Sequence, residues 1–185
     1  MVGERVGRRA VALGLAAAAA GCSMFAPEEE VVVAPWPPPM VPEAEQADLI
    51  VVEKSARTLQ LFRNSFPLDV FEVDFGFTPE GHKRREGDGR TPEGLYWISA
   101  RNPKSAFHLS LFINYPNAED IAAAEARGED PGGAIFIHGG NGLFDRLKGA
   151  VRGENWTEGC IAVTNADIER IWSRVPLGTP IIIRA

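Results

Sequence analysis

Phe66-Pro67-Leu68-Asp69-Val70-Phe71-Glu72-Val73-Asp74-Phe75 decides the class of fold. The run is rich in residues that favour strands, and Phe71, Val73 and Phe75 alternate with Glu72 and Asp74. A period of two sorts side chains onto opposite faces of a strand, so this one has a dry face and a wet face. Just upstream, Arg63-Asn64-Ser65 reads as a hairpin turn joining it to a strand over 58–62. Further upstream, 49–52 is a short apolar run followed by Lys54, and the folded domain is expected to begin near Asp48.

Downstream of Phe75 comes a polar, glycine-rich stretch over 78–94. Tyr96-Trp97-Ile98 and 107–113 are further strand candidates, the second alternating His108 and Ser110 with Leu109 and Leu111. A short apolar strand over 134–137 ends at His138-Gly139-Gly140, and 179–183 follows the turn Pro176-Leu177-Gly178 as a last strand. Two helices are predicted. One covers 117–127, with Asn117 as cap, Asp120 at its third position and Gly128 as stop. The other covers 165–173, capped by Thr164 with Asp167 completing a capping box, and carries Ile168, Ile171 and Trp172 on one face. Many short strands and two modest helices predict a mainly β domain over 48–185, large enough for a core without staples.

The N-terminus is read apart from the fold. Arg5, Arg8 and Arg9 precede an apolar stretch over 11–20, too short to span a bilayer, which takes about 20 apolar residues. Ala19-Ala20-Gly21-Cys22-Ser23 resembles a lipobox. The expectation is a lipoprotein-type signal peptide over 1–21, lipidation at Cys22, and a proline-rich tether over 22–47 containing Pro35, Pro37, Pro38, Pro39 and Pro42. An ordinary secretory signal is the plainer alternative. Either implies export to the periplasm. Ser23 carries no inner-membrane retention signal, so an outer-membrane anchor is preferred.

Charge narrows the partners. The chain has 19 basic and 25 acidic residues, net -6, and removing 1–21 with its three arginines makes it more acidic still. That balance argues against nucleic acid or an anionic lipid surface as the main partner.

Two cysteines are present, Cys22 and Cys160. With Cys22 lipidated or removed, Cys160 has no partner within the chain, and an exported lone thiol is either reactive or a buried inert hydrophobe. Thiolate is a strong nucleophile that needs a nearby base and a place for the developing oxyanion. In Trp156-Thr157-Glu158-Gly159-Cys160-Ile161, Gly159 permits close approach, and the amides of Gly159 and Cys160 are candidate oxyanion donors. His138, closing a strand beside two glycines, is the candidate base, with a backbone carbonyl such as that of Gly139 to orient it. Asn155, Trp156 and Thr157 adjoin the cysteine and are candidate groove residues. His108 is structural or groove-lining, and His82, among charges, reads as exposed. Arg84, Arg85, Arg90, Arg146, Lys148 and Arg152 are either carboxylate binders or a solvated face. No cofactor is expected. A zinc site built on Cys160 and the histidines is an alternative without tight ligand spacing.

Thr91-Pro92-Glu93-Gly94-Leu95-Tyr96, Ile137-His138-Gly139 and Thr157-Glu158-Gly159-Cys160-Ile161, in this order, resemble the L,D-transpeptidase catalytic domain, also called the YkuD-like or ErfK/YbiS family. Glu86-Gly87-Asp88-Gly89-Arg90 and Trp156-Thr157-Glu158-Gly159-Cys160 resemble a divergent branch that includes an enzyme detaching a lipoprotein from peptidoglycan. The resemblance covers about 48–185. It implies a β-sandwich-like domain with short flanking helices and the catalytic cysteine in a groove. It makes Cys160 the nucleophile, His138 the base, the Gly139 carbonyl its holder, and amides around Gly159 and Cys160 the oxyanion hole. It implies peptidoglycan tetrapeptide stems as substrate. The cysteine attacks the L-centre carbonyl of the third residue, expels the terminal D-Ala, and passes the acyl group to an amine as a crosslink or to water.

Two departures from the family pattern stand out. Glu158 occupies the position where a His usually precedes Gly-Cys, and Ala162 the position of an Arg or Asn. The first removes a cation and adds an anion near the thiol. Three readings follow: an L,D-transpeptidase in wall remodelling; a peptidoglycan amidase or L,D-carboxypeptidase, including release of a wall-linked lipoprotein; or a noncatalytic wall-binding lipoprotein that kept the fold.

Overall fold

A computed structural model describes residues 34–140 and 155–185. The expected signal peptide, Cys22, the first part of the tether, and Arg146, Lys148 and Arg152 lie outside the described residues. Strands β1 (Leu49–Glu53), β2 (Thr58–Arg63), β3 (Phe66–Glu72), β4 (Gly94–Ser105), β5 (His108–Ile113), β6 (Phe136–His138), β7 (Ile161–Ala162) and β8 (Pro180–Arg184) form one sheet in the order β3-β2-β1-β8-β4-β5-β6-β7. Helices α1 (Ala118–Glu125) and α2 (Asn165–Arg174) flank it.

The β2–β3 turn forms as the sequence predicts. Asn64 and Ser65 both have positive φ, 50° and 67°, the pairing that matches hairpin turn twist to strand twist. The alternation in the opening stretch is also real. Phe71, Val73 and Phe75 are buried and Glu72 is exposed. They join Ile50, Val52, Leu59, Leu61, Leu109, Leu111, Ile137, Ile161, Ile168 and Ile171 in one core. Each such side chain contributes about 1.5–3 kcal/mol on burial.

Strands β3 and β7 are at opposite ends of the sheet order, yet the chain leaving β3 returns to β7. The Ala162 N–H donates to the Asp74 carbonyl at 2.8 Å, and the Asp74 N–H to the Ala162 carbonyl at 2.9 Å. A second bridge joins Gly76 to Thr157. The sheet is therefore curled, with its inner face filled by the alternating residues, and the fold is the mainly β, sandwich-like domain expected. The curl carries the segment 74–77 to the loop that holds Cys160.

Both helices form where predicted, with one difference in capping. Asn117 and Asp120 make the full reciprocal box on α1. On α2, the Thr164 hydroxyl accepts from the Asp167 N–H at 3.1 Å and donates to the Asp167 carboxylate at 2.6 Å. The second bond thus goes to the hydroxyl and not to the backbone N–H of the cap.

The compact unit runs from Ala34 to Ala185. Its first residues, expected to belong to the tether, lie against the domain. The N–H groups of Val41 and Ala47 donate to the carbonyls of Ser173 and Arg174 at 2.9 and 2.8 Å, and Ala47 is 1% exposed. Pro42 and its neighbours do not prevent this, because the last carbonyls of α2 have no partner within the helix and accept donors from outside.

Candidate active site

The parallel register of β6 and β7 pairs Ile137 with Ile161 and His138 with Ala162. Cys160 therefore sits two residues before the partner of His138. For strands about 4.8 Å apart with a rise of about 3.3 Å per residue, that places the two α-carbons roughly 8 Å apart. Residues 22 positions distant in sequence come onto adjacent strands because His138 ends β6 and Cys160 immediately precedes β7.

His138 is buried. Its Nδ1 lies 2.6 Å from the Gly139 carbonyl oxygen, so that nitrogen carries the proton and Nε2 is the basic one. Phe107 and Trp156 pack around the ring, with centroids at 4.6 and 5.7 Å. Gly139 is required by the packing. A β-carbon there would lie 2.5 Å from Asn165 Oδ1 and 2.9 Å from Ile168 Cγ2. Asn165 Oδ1 accepts from the Gly140 N–H at 2.8 Å, so the first residue of α2 fixes the turn that holds the imidazole. No local pattern in the sequence marks Asn165 for this, since the contact spans 25 residues.

The Cys160 thiol is directed at the Ala134 carbonyl oxygen, 3.6 Å away. Burial pushes its pKa above the ordinary value and the Glu158 carboxylate adds to this, while the Phe136 N–H and the Lys83 ammonium oppose it; the net effect is upward. The resting group is thus a thiol, which reacts as a nucleophile only once a base removes its proton.

Thr157 organises the cysteine loop. Its hydroxyl donates to the Cys160 carbonyl at 2.7 Å and accepts from the Gly159 N–H at 3.2 Å. The Gly159 amide is therefore engaged within the loop. Gly159 itself has φ of 132°, and a β-carbon there would lie 2.5 Å from the Arg90 carbonyl oxygen, so both conformation and space demand glycine. Asn155 braces the loop, its Oδ1 accepting from Arg57 Nη1 at 2.8 Å and from the Phe75 N–H at 3.1 Å. His108 Nε2 pairs with Glu169 at 2.6 Å and its ring packs at a tilt against Trp36. That arrangement links β5 to α2.

With the site laid out, comparison with known proteins decides the family. Residues 47–183 match the profile of the YkuD L,D-transpeptidase catalytic domain. The chain belongs to the L,D-transpeptidase family. It is 28% identical over 132 residues to YafK of Escherichia coli (strain K12), an alignment covering 68% of this chain and 46% of that protein. The chain thus spans about half the length of the curated relatives it matches. The crystal structure of the helical cell shape determining protein Pgp2 from Campylobacter jejuni is similar in fold, with TM-score 0.57 and 22% identity over 75% of this chain and 47% of that one. Bd1075 of Bdellovibrio bacteriovorus has TM-score 0.53 and 25% identity, covering 79% and 50%.

This L,D-transpeptidase-family domain carries buried cations that the sequence reading passed over. In the polar stretch 78–94, Lys54 Nζ donates to the Gly81 carbonyl at 2.7 Å, to the Thr91 carbonyl at 3.3 Å and to Glu93 at 2.7 Å. Lys83 is 3% exposed and donates to Asp88 Oδ1 at 3.0 Å and the Arg85 carbonyl at 3.2 Å. It supplies positive charge near the thiol where the family pattern, read from sequence, had lost it. His82 is tied on both nitrogens and not merely exposed. Nδ1 accepts from the Glu93 N–H at 3.0 Å, and Nε2 lies 3.1 Å from Asp120, which also receives the Tyr96 hydroxyl at 3.0 Å. Among the described residues no cluster of three or more His, Cys, Asp or Glu is arranged to hold a metal ion.

Proposed function

We propose that the domain transfers the acyl group of a peptidoglycan tetrapeptide stem through a thioester on Cys160. The observation that supports this reading is the parallel pairing of β6 with β7, which brings the strand-ending His138 and the residue before β7, Cys160, onto adjacent strands. His138 Nε2 takes the Sγ proton as sulfur attacks the carbonyl carbon of the third stem residue. The C–N bond to the terminal D-Ala breaks, His138 returns the proton to that amine, and the thioester remains. An incoming amine or water then gives its proton to His138 and its lone pair to the thioester carbon, the C–S bond breaks, and His138 returns the proton to the departing sulfur. The Cys160 N–H is the loop's donor for the oxyanion, because the Gly159 N–H is directed at Thr157 Oγ1.

The elevated thiol pKa fits this role for His138. A carbapenem, which acylates such a thiol, tests the assignment by intact mass. Wild-type protein gains one adduct and Cys160→Ser gains none; equal labelling of both, or of neither, would remove Cys160 from the mechanism. Purified muropeptides then sort the acceptor. New crosslinks mean an amine acceptor, and shortened stems mean water. Glu158, in place of the family's usual His beside the thiol, is the feature that favours the hydrolytic outcome. The same reading places the domain in the periplasm on a lipid at Cys22. Labelling cells with a radioactive fatty acid should mark wild-type protein and leave Cys22→Ala unmarked.

A further inference from the structure

The stretch Lys83-Arg84-Arg85-Glu86-Gly87-Asp88-Gly89-Arg90 folds around one carboxylate. Asp88 accepts from the N–H groups of Arg84, Arg85 and Arg90 at 2.7, 3.2 and 3.0 Å and from Lys83 Nζ at 3.0 Å. Burial alone would raise its pKa, but these donors outweigh it and hold the carboxyl below its ordinary range. Its negative charge is therefore satisfied inside the loop, while the arginine side chains project outward.

They project into a pocket of about 370 Å³ lined by Thr78, Arg84, Arg85, Arg90, Arg127 and Glu129, together with Asp88. Glu129 pairs with Arg127 at 2.6 Å and lies 3.9 Å from Arg85. The guanidiniums of Arg84 and Arg90 have no hydrogen bond or ion pair among the described residues. Among the described residues the pocket thus keeps two planar cations with no anion of its lining left to match them. The segment that lines it packs on the cysteine loop. The Arg90 carbonyl would touch a β-carbon on Gly159, and the Phe77 N–H, next to Thr78, donates to the Thr157 carbonyl at 2.9 Å.

We propose that Arg90 and Arg84 form a subsite for a carboxylate of the stem peptide whose acyl group is presented to Cys160. The subsite rests on the acyl-transfer reading and names what positions its substrate. Arginine suits the task, because its fixed fork of donors meets both oxygens of a carboxylate. The cavity takes a group the size of an amino acid side chain and its terminus. A stem tetrapeptide offers two sources of such a group near the scissile bond, the D-centre carboxylate of its third residue and the carboxylate of the terminal D-Ala.

Titration calorimetry on the full chain carrying Cys160→Ala separates binding from chemistry. The ligands are the free tetrapeptide, the peptide amidated at the third residue, and the peptide amidated at its C-terminus. Arg90→Ala should weaken the free peptide about tenfold or more, with Arg84→Ala acting in the same direction and Arg90→Lys recovering part of the loss. One amidated peptide should be insensitive to Arg90→Ala, and which one identifies the carboxylate. Equal losses for all three peptides, or no loss for any, would overturn the subsite. Turnover by protein with Cys160 intact is measured in parallel. Arg90-dependent binding without turnover would sink acyl transfer and leave the subsite standing. Turnover with no Arg90 dependence would do the reverse.

Discussion

A half-buried thiol under the opposed influence of a carboxylate and an ammonium has a reactivity set by their difference. Glu158 is exposed and raises the Cys160 pKa; Lys83 is buried and lowers it. Replacing Glu158 by Gln removes a charge that disfavours thiolate, so the pKa should fall. Iodoacetamide alkylation of Cys160 followed against pH should show its midpoint moving down, with a rate at neutral pH higher by roughly a few-fold. Lys83→Met should move the midpoint up. Profiles that coincide with wild type would mean neither side chain acts on the sulfur. The candidate nucleophile and base could be named from sequence because each stands alone: one cysteine outside the expected signal region, and one histidine at a strand end beside glycines. Lys83, Asn165 and the engaged Gly159 amide could not. Asn165 acts through a contact 25 residues away and Lys83 through its charge on a thiol distant in sequence, while the Gly159 amide is taken by a hydroxyl two residues back through a loop geometry that residue types do not announce. Gly139 sits between these cases. Its carbonyl was foreseen as a partner for the imidazole, but the reason it must be glycine is Asn165. Gly139→Ala should therefore push Asn165 and α2 away, lower the melting temperature, and reduce acylation by a carbapenem. Unchanged acylation would show the turn to be tolerant.

Elements with a dry face were legible because alternation is written in their residues, as in Phe71, Val73 and Phe75 or in Ile168, Ile171 and Trp172 of α2. Strand β4 extends well past Tyr96-Trp97-Ile98 to Ser105. The extra length pairs with β5 through two irregularities. It carries Arg101, Asn102, Pro103 and Lys104, which offer no apolar face to detect. The loop over 78–91 is illegible for another reason. It has almost no apolar residues, and its order comes from the buried Lys54, Lys83 and Asp88. Asp88 makes that order sensitive to acid. Its carboxyl is held below the unfolded value of about 3.9. Its contribution to stability is therefore complete above that value and is lost as pH falls through the lower folded pKa. Thermal melts of wild type and Asp88→Asn should differ at neutral pH, by about 1–3 kcal/mol for charge-assisted bonds, and converge at more acid pH. A constant gap across the range would assign the loss to shape and not to charge.

At the scale of the whole domain, the question is where the packed molecule begins. Proline density predicted an extended spacer through residue 47, and composition alone cannot distinguish a free spacer from an extended segment laid on a surface. The outcome depends on what the segment meets. Here it meets the C-terminal carbonyls of α2, which accept the Val41 and Ala47 N–H groups, and a core position filled by Ala47. Gln46 closes the segment on itself, its Nε2 donating to the Val41 carbonyl at 2.8 Å. Trp36 rests on His108, which is in turn paired with Glu169 of α2. Two backbone bonds at about 0.5–1.5 kcal/mol each, with some apolar burial, amount to about 2 kcal/mol. A protein starting at residue 48 should then melt on the order of 5 °C below one starting at residue 34. Its α2 C-terminal amides should also lose protection from hydrogen exchange, because that helix end would regain its unpaired carbonyls and fray. Were 34–47 only a spacer, the two proteins would melt together.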